Sequence, residues 1–144
     1  IILYFIDKCS GVFNTKMNKL LFYTDFLHYR QHGQAITGMT YRAIQYGPVP
    51  VRWDREYSLL DCIEQDLVEL ESGTIGTRLI SSEKPDLSVF SDKELVTLES
   101  IAKRFKETSA SEISALSHKE KAWMEFAGIS QPIEFSSAFS LLAV

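Results

Sequence analysis

The chain has 144 residues, 45% of them hydrophobic and 12% aromatic, with a formal net charge of -4. That length suits one domain burying roughly two thirds of its unfolded surface. Acidity without a basic cluster excludes stand-alone nucleic-acid binding, because phosphate neutralisation supplies most non-specific affinity. Lys103, Arg104, Lys106, Lys119 and Lys121 are interleaved with Glu107 and Glu120 and read as solvated helix faces. No apolar run reaches the length of a membrane span.

The opening Ile1-Ile2-Leu3-Tyr4-Phe5-Ile6 lacks an initiating methionine and has no basic segment before it. It is too short for a signal core and reads instead as a helix over residues 2–9, closed by Ser10-Gly11, in a chain trimmed at its N-terminus. Residues 15–32 form a second helix that is apolar on most sides, with Met17, Leu20, Leu21, Phe26 and Leu27 at helical spacing and Phe22, Tyr23 and Tyr29 around them. Such a helix is buried between other elements. Asn14 is its expected N-cap and Gly33 its stop. Met39, Tyr41 and Ala43 then alternate with Gly38, Thr40 and Arg42, the pattern of a short half-buried strand. Pro48 and Pro50 disfavour the helical region for the residues before them, so the strand ends at Tyr46-Gly47-Pro48-Val49-Pro50, a fixed corner between sheet and helix. Trp53, Tyr57, Leu60, Ile63 and Leu67 predict a helix over about 51–65. Residues 67–71 and 77–81 flank a Gly-containing loop and predict a hairpin, which with the strand near 39–44 would make one small antiparallel sheet. A loop around Pro85 precedes Ser91 and Glu94, spaced as a capping box before the amphipathic stripe of Leu95, Leu98, Ile101, Ala102 and Phe105. Ser109 and Glu112 repeat that spacing, and residues 119–127 read as a further helix stopped by Gly128. Residues 130–144 carry the weakest signal: a strand at 133–135 and a helix or tail over 137–144.

Chemistry-bearing residues are sparse. Cys9 and Cys62 each lack the nearby partner that a zinc site uses and read as free thiols of a reducing compartment. His28 and His32 share a helix face, but Tyr29 stands where a metalloprotease motif has Glu, and no third ligand is evident. Asp25 and His28, three apart, could form a general-base pair, with no nucleophile assigned to it. Ser117 and His118 are adjacent and cannot face each other on a helix. Ser117 is better placed to cap the next helix, with His118 packing near Trp123. Tyr41, Tyr46, Trp53, Tyr57 and Trp123 fit either core or the edge of a groove holding a partner. The polar groups Asp25, His28, Arg42 and Tyr46, set among aromatics, are the expected partner-binding surface or the frame that shapes it. An internal Asp25–Arg42 pair fastening helix to strand is the competing reading.

The run K-x-x-K-L-L-x-Y-x-D-F-L-H-Y, then G-x-x-I-T-G-x-x-Y-x-A, then Y-G-P-V-P, with Ser117-His118 and Ala122-Trp123 later, resembles the Panacea antitoxin domain, also called SocA-like or phage-associated of the GepA type. The matching positions include Lys19, Gly38, Tyr41, Gly47, Pro48, His118 and Trp123, over roughly residues 1–126. The resemblance implies a prokaryotic antitoxin that neutralises a cognate toxin by direct binding, or, as in one branch, delivers it to a protease. Some relatives carry a helix-turn-helix before this domain, so any DNA binding would lie outside these residues. The combined expectation is a mainly α protein with a small antiparallel sheet (α+β), one compact domain of about six helices over residues 1–144. It would be non-enzymatic, cytoplasmic and free of metal or cofactor. The competing functions are a small enzyme using Asp25 and His28, and the non-DNA-binding part of a transcription regulator.

Overall fold

A computed structural model describes residues 1–57 and 59–144. Its central element is α2 (Asn14–His32), in which every residue from Lys16 to His28 is buried, apolar and polar alike. Around it lie α1 (Ile2–Lys8), β1 (Tyr41–Ile44), β2 (Gly47–Pro50), α3 (Trp53–Glu56), β3 (Glu64–Glu69), β4 (Ile75–Ile80), α4 (Asp92–Phe105), α5 (Ala110–Ser117) and α6 (Lys121–Met124). Short 3-10 turns span Leu87–Val89 and Phe135–Ser140. This is the α+β architecture expected, with α2 packed against α4, α5, β2 and the last 3-10 turn.

Polar side chains of α2 reach several of its neighbours. Lys16 donates to the Ser10 and Lys106 carbonyls at 2.6 and 3.1 Å, tying the α1–α2 turn to the end of α4. Asn18 accepts from Tyr57 at 2.8 Å, Lys19 donates to the Pro48 carbonyl at 3.1 Å, and Tyr23 donates to Glu120 at 3.2 Å. The spaces between are filled by rings: Tyr23 stacks on Phe105 and Phe26 on Phe135, with centroids 5.0 and 4.6 Å apart. Each such ring contributes roughly 1.5–3 kcal/mol through burial.

Local signals hold where they are self-contained. Gly33 ends α2 at φ 75 with its amide on the Tyr29 carbonyl, and both capping boxes form, Ser91 with Glu94 and Ser109 with Glu112. Asn14 is not the cap: Phe13 holds that position without a side-chain bond, and the buried Asn14 Oδ1 has no hydrogen-bond partner.

Longer-range expectations are corrected in several places. The sheet is two separate antiparallel pairs, β1–β2 and β3–β4, rather than one three-stranded sheet. The Gly47–Pro50 segment is itself a strand, not a corner after one. The bond from the Val51 amide to the Thr40 carbonyl, 2.8 Å, fixes the ladder's phase, so that Arg42–Val49 and Ile44–Gly47 are the bonded pairs. Pro48 and Pro50 thereby fall on the alternate positions, where a strand residue's N–H points away from its partner and none is missed. The helix expected over 51–65 is limited to Trp53–Glu56, with its Ser58 portion outside the described residues. Tyr57 leaves the helix to place its ring against α2 and its hydroxyl on Asn18, and residues 64–69 are taken by pairing with β4, which leaves Leu67 69% exposed. Finally, the helix over 119–127 is only Lys121–Met124, capped by Glu120, while Ser117 donates back to the Ser114 carbonyl instead of capping it. Residues 133–135 form no strand, although the Ile133 amide bonds the Tyr41 carbonyl at 2.7 Å. Among the described residues no helix is long and apolar enough to cross a membrane.

Candidate functional site: a braced turn beside a cleft

The β1–β2 turn is held by side chains distant in sequence. Trp123 Nε1 donates to the Ile44 carbonyl at 2.7 Å, and His118 Nε2 lies 3.0 Å from the Gln45 carbonyl. Ser114 Oγ donates to the Tyr46 carbonyl at 3.2 Å, and Lys19 takes the Pro48 carbonyl. Four carbonyls of five consecutive residues are thus fixed from α2, α5 and α6. His118 also has Nδ1 2.8 Å from the Ser114 carbonyl and stands edge-on to Trp123, centroids 4.3 Å apart. Both ring nitrogens face carbonyl oxygens, so both bonds form together only with the doubly protonated ring.

Gly47 makes this close approach possible. Its φ of +102 is a glycine conformation, and a Cβ there would lie 2.6 Å from Ser117 Oγ and 2.7 Å from Lys19 Cε. Lys19 is sealed beneath it with 0% exposure, and burial pulls its ammonium down from 10.5 to about 7. What the braces present outward is Tyr46, 64% exposed. Its ring borders a cleft of about 800 Å³ between the β1–β2 turn, the start of α2 and the β3–β4 hairpin, whose walls include Trp53, Leu70 and Ile75.

Asp25 and His28 are placed inside, 0% and 2% exposed, so neither presents a side chain at the surface. Asp25 Oδ1 accepts from the Ile36 and Thr37 amides at 2.9 Å each, and Oδ2 from the Thr37 and Tyr41 hydroxyls. This clasp fixes the approach to β1, where Gly38 turns at φ 69. His28 Nδ1 lies 2.9 Å from Thr97 Oγ1, and burial, with His32 beside it, holds the imidazole below its usual value. Since Thr97 Oγ1 itself donates to the Lys93 carbonyl, His28 Nδ1 is the donor in that pair. Asp25 and His28 therefore serve different neighbours and do not assemble as an acid–base pair. Arg42 is exposed on the face opposite Tyr41 and Ala43, as the alternation requires, and the partners of Asp25 named above do not include it. Among the described residues no three His, Cys, Asp or Glu side chains gather as a possible metal site.

Sequence reasoning missed Lys16, Ser114 and Glu120. The buried Glu120 carboxylate accepts from Tyr23 and from the Leu142 and Ala143 amides at 2.9 and 3.0 Å, pinning the last residues to the core. No local spacing advertises it, because its partners come from both ends of the chain.

A family model for the antitoxin SocA-like, Panacea domain matches residues 17–124. The chain belongs to the SocA-like Panacea family. Comparison with curated proteins and with solved structures gave no match. The Panacea match runs from within the first turn of α2 to the end of α6 and so contains every brace of the Tyr46 turn and the whole Asp25 clasp. Outside it, α1 and the turn at Phe135–Ser140 complete the packing: Phe5 and Ala138 are fully buried. The residues carrying the family resemblance are thus mostly internal fasteners, with Tyr46 the large exposed group among them.

Proposed function

We propose that the protein is a cytoplasmic antitoxin that neutralises a cognate toxin by direct protein–protein binding, with no catalytic step and no cofactor, through one domain spanning residues 1–144. Membership of an antitoxin family supports this reading. The single structural observation that carries it is the Tyr46 turn, an exposed aromatic on a backbone fixed by four side-chain bonds. Rigid aromatics bind with little loss of conformational freedom and dominate interface hot spots. In this reading Tyr46 and Arg42 touch the toxin, while Asp25 shapes the surface by holding the approach to β1. His28 acts only by fastening α2 to α4.

The test is co-expression with each reading frame that flanks its gene. The wild-type chain should restore growth and co-purify with one of those products. Charge reversal, Arg42→Glu, should weaken neutralisation while leaving the melting temperature nearly constant. Failure to bind any of them would overturn the antitoxin reading. Untouched neutralisation by both Arg42→Glu and Tyr46→Ala would move the toxin surface elsewhere.

A further inference from the structure

The basic residues around α4 and α5 do not stay interleaved with acids once the chain folds. Lys103, Arg104 and Lys106 at the end of α4 and Lys119 just past α5 line one groove of about 680 Å³, and all four are exposed. Among the described residues none of the four forms an ion pair. The acids that alternate with them in sequence are committed elsewhere. Glu120 is 1% exposed and is taken by Tyr23 and by the Leu142 and Ala143 amides. Glu107 accepts from the Ser10 hydroxyl at 2.8 Å, and Glu112 from the Ser109 amide and hydroxyl at 2.8 and 2.7 Å. Glu107 and Glu112 remain on the lining, but the buried Lys16 ammonium acts on both from the interior. The groove therefore carries a surplus of positive charge on a chain whose net charge is -4. Arg104 is already oriented: its Nε donates to the Ala143 carbonyl at 3.1 Å and its guanidinium carbon stands 4.9 Å from the Phe105 ring centroid. The two terminal nitrogens of its fork have no protein acceptor among the described residues, and a fork held in place loses little freedom on pairing.

We propose that this groove docks an acidic segment of a partner protein, with carboxylates on Lys103, Arg104, Lys106 and Lys119 and an apolar side chain against Ala115 and Leu116, the apolar part of the lining. Charge complementarity selects the occupant, and the Arg104 fork suits the two oxygens of a carboxylate. A nucleic acid fits less well. Its affinity comes from about six to ten phosphate contacts, more than four cations beside two carboxylates supply. The acidic remainder of the chain also repels a polyanion that runs past the groove, whereas a short acidic segment ends within it. The partner is defined by its charge, so the inference holds whether or not that partner is the toxin.

Random dodecapeptides displayed on phage and selected on the full chain should return sequences rich in Asp and Glu. Binding of the synthetic peptides, followed by fluorescence anisotropy, should weaken as salt rises from about 0.05 to about 0.5 M. Lys103→Glu combined with Lys119→Glu reverses one charge on each side of the groove and should weaken binding by about tenfold or more. Lys93→Glu combined with Lys121→Glu makes the same change in net charge at positions that do not line the groove, and should leave binding unchanged. All four positions are exposed, so melting temperatures should stay near wild type. A selection that yields no acidic peptide, peptides indifferent to the groove reversal, or peptides weakened equally by the control pair would each overturn the proposal. So would a labelled poly-dT oligonucleotide that binds the wild-type chain more tightly than the peptides do and is lost on groove reversal, since the groove would then belong to a nucleic acid. The selection uses no toxin, so its failure leaves the antitoxin reading standing.

Discussion

Replacing Lys19 by methionine removes a buried amine while keeping most of the side-chain volume. The wild-type ammonium has no exposed surface, donates to the Pro48 carbonyl, and is lowered from 10.5 to about 7 by burial. Below pH 7 both folded and unfolded chains hold the proton, and the desolvation cost is fully present. Between pH 7 and 10.5 the folded chain has released it and the unfolded chain has not, so stability rises with pH by about 1.4 kcal/mol per pH unit. From pH 7 to pH 9 this group should add about 2 kcal/mol, or ~6 °C in melting temperature for a chain of this size. The Met variant leaves the Pro48 carbonyl without its donor, a cost of about 1–3 kcal/mol that does not vary with pH. The informative quantity is therefore the difference between the two stability profiles, measured by urea unfolding across that range. It should tilt towards the wild type as pH rises. Parallel profiles would refute the claim that the Lys19 ammonium is desolvated beneath the turn.

Gly47→Ala should cost about 3 kcal/mol in denaturant unfolding, since it forces a Cβ to 2.6 Å from Ser117 Oγ at a φ of +102; a loss under about 1 kcal/mol would contradict the close packing. Asp25→Ala strands the Ile36 and Thr37 amides, and should lose about 3 kcal/mol or more with faster amide exchange at residues 36 and 37. Glu120→Ala should release the Leu142 and Ala143 amides to exchange and lose about 2 kcal/mol, and unchanged protection there would remove Glu120 from its role as the latch.

The legible parts of the fold were those whose cause lies within a few residues. Ser91 with Glu94, Ser109 with Glu112 and Gly33 each satisfy backbone groups of their own helix, so spacing suffices to find them. The apolar circumference of α2 announces burial in the same way. The pairing of Gly47–Pro50 with Tyr41–Ile44 was hidden because prolines signal a strand's end unless the bonding phase is known, and that phase comes from Thr40 and Val51. The apparent stripe from Trp53 to Leu67 mixed a short helix, a turn and a strand. At the site, the exposure of Arg42 followed from alternation, whereas the burial of Asp25 and His28 did not follow from their polarity: each has an interior partner set by tertiary contact. His118 and Trp123 were marked by the family resemblance, yet their target, the turn some seventy residues earlier, is a long-range fact.

The central claim is that the braced Tyr46 turn is where the toxin binds. Calorimetric titration of the purified neighbouring toxin into wild-type chain and Tyr46→Ala tests it directly. Tyr46 is 64% exposed, so the variant should melt with the wild type. The account predicts a loss of at least about 2 kcal/mol in binding, roughly thirtyfold in Kd. Equal affinity for the two proteins, both folded, would contradict it.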